Sequence, residues 1–288
     1  MRGQLSLLEQ QRLSHPDASD AEHIIRWGAD VIEALDLEPP IDPAMVASFL
    51  GVAEVQPEQL DFAGCLLCGR DRIVIKVRRG DPPGRRRFTI CHECTHTFFP
   101  GYRRLPQYRC NPSRDGASDR GLERLCDVGA GELLLPRKYF VRDLSDVGFN
   151  LDGMEQLAGH YQASLEATAQ RMVTLSRSPA LLIVLEPRTK PRESGDPDAV
   201  AKLRVRASRS QGTWPYIPRH KSVEKGTLLH RAFEGEIIHE KTSIRGLTRE
   251  PLVDVEVHAR LFPYDHGRTR RVIALIEQSA TSRSRTHR

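Results

Sequence analysis

At 288 residues the chain is long enough for two hydrophobic cores, and its formal net charge of +5 favours acidic partners, protein or nucleic acid. No run of about 18 apolar residues occurs, which excludes a membrane-spanning helix, and the patch from Leu5 to Leu8 is too brief for a secretory signal. Six cysteines spread over this length fit reduced thiols rather than a disulfide framework, so a cytoplasmic location is expected.

Residues 1–20 are polar and read as a loosely ordered leader. Ile24, Ile25, Ala29, Val31, Ile32 and Leu35 recur at helical spacing and predict a helix over 21–37, followed after a Pro-rich break by a second at 44–50. Strands are predicted around 64–67 and 72–77, with Gly69-Arg70-Asp71 as the turn between them and Asp81-Pro82-Pro83-Gly84 as a loop. Arg70, Arg72, Lys76, Arg78, Arg79, Arg85, Arg86 and Arg87 cluster before the next helix, and Arg103, Arg104, Arg109, Arg114, Arg120 and Arg124 follow it. Singly these are solvated side chains; as a group they would steer a DNA-bound or acidic substrate.

That next helix carries His92-Glu93-Cys94-Thr95-His96, preceded by Phe88-Thr89-Ile90-Cys91 and ended by Pro100-Gly101. Residues i and i+4 share a helix face, so His92 and His96 can hold one Zn2+ while Glu93 points toward its water as general base. A further helix over 119–135, with Leu122, Leu125, Cys126, Gly129, Leu133 and Leu134 at helical spacing, offers Glu123 as the third metal ligand. Asp127, one turn after Glu123, is placed to accept a hydrogen bond from the outer nitrogen of a ligating histidine. Glu132 is a rival third ligand, but it lies in a run otherwise apolar.

The strand residues Ile73, Val74, Ile75, Lys76 and Val77 are candidates for substrate binding, because an extended peptide can pair with an exposed strand edge beside the metal. The connection from Pro100 to Ser118, with Tyr102 and Tyr108, is a candidate rim or lid. His160, Tyr161 and Tyr102 are side chains of the right type to stabilise an oxyanion, with no spacing to choose among them. Two readings compete with a peptidase. One is a metal-bound regulator that recognises a repressor or DNA without cleaving. The other is a zinc ribbon built from Cys65-x-x-Cys68 and Cys91-x-x-Cys94, although the second pair falls within the helix of the histidines.

Residues 137–178 read as a helical, helix-turn-helix-like segment, in which only Arg171 and Arg177 give the second helix positive charge. Beyond it, strands around 181–185, 200–207, 253–259 and 272–276 surround a helix at 224–233 and define a C-terminal α+β domain over 179–277, with Glu193-Ser194-Gly195-Asp196 as a loop. The residues from 278 form a basic tail expected to be disordered.

Arg87-Phe88-Thr89-Ile90 running into His92-Glu93-x-x-His96, then Glu123-x-x-x-Asp127 running into Glu132-Leu133-Leu134-Leu135-Pro136, resembles the ImmA/IrrE zinc metallopeptidases, a gluzincin-like family, over about residues 21–178. The family lines RFTIAHELGH and E-x-x-A-N/D-x-F-A-A-x-L-L-M-P are matched without a gap. Cys94-Thr95 replaces the usual Leu-Gly, Cys91 and Cys126 replace Ala, and Gly129 stands where Phe is usual. The resemblance implies an α+β fold with a small zincin-like helical domain and a short sheet over 21–136. It also implies an intracellular endopeptidase whose substrates are helix-turn-helix transcriptional repressors, cleaved to release stress-response or mobile-element genes. Some relatives carry a sensor-like domain of the GAF type after the helical segment.

Overall fold

In a computed structural model of the chain, residues 6–70, 72–102, 107–108, 117–193, 196, 198–264 and 269–279 are described. The architecture is α+β, and the chain divides into two compact units, Met1–Asp143 with Leu157–Ala167, and Leu144–Gln156 with Thr168–Arg288. The connection from 103 to 106 and from 109 to 116, the turn residue Asp71, Ser194 and Gly195, and the tail beyond 279 lie outside the described residues, and with them part of the expected lid and of the basic zone.

The first unit opens with α1 (Leu7–Ser14), so residues 7–14 are not the loosely ordered leader expected from their polarity. Ser6 and Glu9 form a reciprocal capping box that satisfies backbone N–H groups at its start. The helix is tethered by the Leu8 N–H donating to the Phe98 carbonyl at 3.2 Å. A second capping box, Ser19 with Glu22, starts α2 (Asp20–Ala34), which buries Ile24, Trp27, Val31 and Ile32. Their spacing makes one apolar face, and each such side chain contributes about 1.5–3 kcal/mol on burial. Asp42 caps α3 (Pro43–Phe49), whose Pro43 occupies a first-turn position that has no hydrogen bond to lose.

Three strands follow, β1 (Val52–Glu58), β2 (Gly64–Cys68) and β3 (Ile73–Arg78), and with β4 (Gln107–Tyr108) they form a sheet of order β1-β3-β2-β4. β3 pairs in parallel with β1 and antiparallel with β2. Both of its edges are therefore occupied, which corrects the expectation that Ile73, Val74, Ile75, Lys76 and Val77 bind a peptide by strand addition: the backbone groups an added strand needs are already used. Ile73, Ile75 and Val77 instead point into the core. β1 escaped prediction because Pro57 and two exposed residues break its pattern, features that an edge strand tolerates.

The helices α4 (Pro83–His96) and α5 (Ala117–Leu134) pack against each other, with α4 also covering β2 and β3. α6 (Arg137–Val147), α7 (Leu151–His160) and α8 (Leu165–Leu175) are each divided between the two units. Arg171 is 7% exposed, so it is not presented by α8 for reading DNA.

The second unit is built on a sheet of order β6-β5-β9-β8-β7, all neighbours antiparallel, from β5 (Ala180–Arg188), β6 (Lys202–Gln211), β7 (Ile238–Ile244), β8 (Leu252–Tyr264) and β9 (Thr269–Gln278). Leu229 and Ala232 of α9 (Leu228–Phe233) belong to the same buried apolar cluster as Leu181, Ile183, Val257, Ala259, Ala274 and Ile276 of the sheet. In each of β5, β8 and β9 these positions are two residues apart, as alternation on one strand face requires.

Gly129 accounts for the unusual Thr95 between the histidines. A methyl group added there would lie 2.4 Å from Thr95 Cγ2 and 2.6 Å from its Oγ1, so Thr95 fills the space that a larger residue at 129 would take. The Thr95 hydroxyl is in turn bonded to the Cys91 carbonyl at 2.9 Å, which holds its rotamer. Overpacking of this contact makes Gly129→Val cost about 1–3 kcal/mol in urea unfolding, and Thr95→Ala in the same chain restores part of the loss. Additive effects would show that the two positions do not share the space.

Candidate metal centre

α4 starts at Pro82-Pro83 without a side-chain cap, and its last two turns are enclosed: Cys91, His92, Glu93, Cys94, Thr95 and His96 are all at most 1% exposed. An i, i+4 pair faces one side of a helix. Here that side meets α5, where Glu123 and Asp127 approach from the more solvated direction, their side chains 33% and 49% exposed.

His92 Nδ1 lies 2.9 Å from Asp127 Oδ1, and its Nε2 lies 3.1 Å from Glu123 Oε2. His96 Nε2 is 3.6 Å from Glu123 Oε1 and 3.9 Å from Glu93 Oε2. A ring N–H donated to Asp127 leaves the Nε2 lone pair of His92 facing the Glu123 carboxylate. Two acceptors so placed suit a divalent cation between them, and two imidazoles with a carboxylate are a set that binds zinc. The donor set therefore fits the metal that the spacing predicts. The structure brings His92, Glu93, His96, Glu123 and Asp127 together.

Cys126 is the participant that its sequence position concealed. Its Sγ lies 3.5 Å from His96 Nδ1, and His92, His96 and Cys126 form a group with donor atoms close enough for a metal. The contact is to Nδ1, whereas Nε2 is the nitrogen facing Glu123, so Cys126 abuts the other edge of the ring. The available sign was its place three residues after Glu123, which puts both on one helix face.

Glu132, the rival ligand, is engaged elsewhere. Its Oε1 accepts the Arg137 backbone N–H at 2.8 Å, at the start of α6. Among the described residues the four cysteines of the ribbon reading form no metal-binding group. Cys91 and Cys94 are wholly buried in α4, while Cys65 sits in β2. Burial pushes the Cys65 thiol up to about 11 and the Cys91 thiol up to about 12, and it holds Cys94 well above its ordinary range. Of the oxyanion candidates, Tyr161 is buried and its hydroxyl donates to Asp143 Oδ2 at 2.7 Å, while His160 is about half exposed.

Much of the basic zone is internally paired. Arg72 bridges to Glu54, Lys76 to Glu58 at 2.8 Å, and Arg78 and Arg85 share Asp81. Arg79, Arg86 and Arg87 donate to backbone carbonyls of Pro57, Arg79 and Ile41. Arg120 and Arg124 are exposed on either side of Glu123. No helix among the described residues is long and apolar enough to cross a membrane.

Residues 54–173 match the family model described as the IrrE N-terminal-like domain. The radiation response metalloprotease IrrE of Deinococcus radiodurans is 27% identical over 143 residues, which cover 48% of this chain and 44% of that protein. The chain thus spans less than half the length of this curated relative. A Mycobacterium tuberculosis transcriptional regulator shares the fold, with a TM-score of 0.58 at 15% identity over 95% of this chain and 93% of that one.

The burial of the thiols has a direct chemical consequence. Iodoacetamide at about pH 8, near the ordinary thiol range, leaves Cys65, Cys91 and Cys94 unmodified in the folded protein and labels them in denaturant, as read by peptide mass spectrometry. Rapid labelling of the native, metal-free chain at these positions would contradict the buried placement.

Proposed function

We propose that the chain is a zinc-dependent endopeptidase with His92, His96 and Glu123 as metal ligands and Glu93 as general base, a reading supported by the match of residues 54–173 to the IrrE N-terminal-like domain. The observation that carries this reading is the convergence of both Nε2 atoms on Glu123, with the wholly buried Glu93 carboxylate 3.9 Å from His96 Nε2.

When bound, zinc supplies Lewis acidity that polarises a peptide carbonyl and makes water acidic enough to be deprotonated near neutral pH. Glu93 takes the proton of the attacking water and delivers it to the nitrogen of the breaking C–N bond, so that the amine departs neutral. Asp127 holds the His92 ring through Nδ1 and fixes which nitrogen faces Glu123. Cys126 packs against the corresponding edge of His96.

The substrate we assign is a helix-turn-helix transcriptional repressor, cleaved in a stress response. The radiation-response role named for the Deinococcus radiodurans relative and the transcriptional regulator with the same fold support this choice. The exposed Arg120 and Arg124 beside Glu123 favour approach of an acidic or DNA-bound protein, raising encounter rate more than affinity.

Comparison of new protein N-termini in cells carrying the wild-type chain or Glu93→Gln tests the reading. Termini within a repressor that vanish in the variant are expected, with purified Glu93→Gln retaining zinc and cleaving at least about a hundredfold more slowly. Identical termini in both strains under stress, with zinc bound in both proteins, would favour a non-proteolytic regulator. Asp127→Ala is expected to weaken zinc affinity about 10–100-fold without changing the circular dichroism spectrum, and unaltered affinity would remove Asp127 from its role.

A further inference from the structure

The C-terminal sheet contains a second convergence of metal-ligating side chains, unrelated to the peptidase motif. Along β8, Val255, Val257 and Ala259 face the apolar core, so strand alternation turns Glu256, His258 and Arg260 to the opposite face. On the neighbouring strand His239 stands directly across from His258, and Lys241 directly across from Glu256. Direct cross-strand partners share a face, which brings His239, Glu256 and His258 together.

The distances are short. His239 Nε2 lies 2.9 Å from Glu256 Oε1, and His258 Nε2 lies 3.6 Å from the same oxygen. The two rings stack with centroids 4.3 Å apart and planes inclined by 28°. One donor atom from each residue falls within 4.8 Å of the other two. The exposures grade from His239, 65% exposed, to His258, 11% exposed, which leaves the site open to solvent at one side.

Two further cationic side chains lie along this face. Lys241 competes from the other carboxylate oxygen, its Nζ 3.7 Å from Glu256 Oε2. Arg260, next along the same face, is engaged by Asp152 and Glu155.

We propose that His239, Glu256 and His258 form a second metal site, which takes a first-row divalent cation of the zinc class. Two imidazoles and one carboxylate match the ligand preference of zinc, cobalt, nickel and copper rather than that of magnesium or calcium. Three protein donors on an open sheet face leave the remaining positions to water, so the metal exchanges with its surroundings instead of being locked in as in a closed four-ligand structural site. The C-terminal unit thereby acquires a ligand of defined chemistry, independent of the centre on α4 and α5.

Equilibrium dialysis of the metal-stripped 288-residue chain against zinc chloride, read by elemental analysis, tests this. The wild type is expected to hold about two equivalents, with His96→Ala and His239→Ala each losing about one and the double variant retaining neither. His239→Gln, which keeps a hydrogen-bond donor for Glu256 but removes the ring nitrogen, should behave as His239→Ala, and Lys241→Met should tighten the second equivalent by freeing Glu256. A wild type that holds a single equivalent, lost in His96→Ala and unaffected by either His239 substitution, would overturn the proposal.

Discussion

Two imidazoles and a carboxylate within five residues of one helix, buried at that end, are the constraint on which the first unit depends. His92 and Glu93 are wholly inaccessible and His96 nearly so. Polar groups removed from water in this way are costly unless the surrounding protein or a cation satisfies them. α5 answers that demand: Glu123 faces the two Nε2 atoms, Asp127 engages the outer nitrogen of His92, and Cys126 abuts the outer nitrogen of His96. A close approach of the two helices is what makes these contacts geometrically available.

That approach rests on a small detail of packing. Thr95 occupies the interhelical space, and Gly129 is the residue across from it that leaves room. Either departure from the family pattern looks disruptive when taken alone. Together, a larger residue on α4 faces a smaller one on α5, which offsets part of the change in volume between them.

The grouping of His92, His96 and Glu93 was legible in the sequence because helical periodicity converts an i, i+4 spacing directly into a shared face. The position of β3 was not, because alternation tells which residues are buried and not how many neighbours a strand has. Ile73, Ile75 and Val77 alternate correctly, yet β1 closes the edge that a substrate would have used. β7 was missed for a related reason: His239-Glu240-Lys241-Thr242-Ser243 is polar throughout and only Ile238 and Ile244 are buried, as suits a strand at the sheet edge. The cluster of His239 with Glu256 and His258 depends on that strand and its register, so no local pattern could reveal it.

The most direct test of the central claim is X-ray absorption at the zinc edge on the purified 288-residue chain. Nitrogen and oxygen scatterers alone, at about 2.0–2.2 Å, are the result predicted for two histidines and a carboxylate. A sulfur scatterer at about 2.3 Å would contradict it and place a cysteine thiolate, with Cys126 the nearest to the histidines, in the coordination sphere.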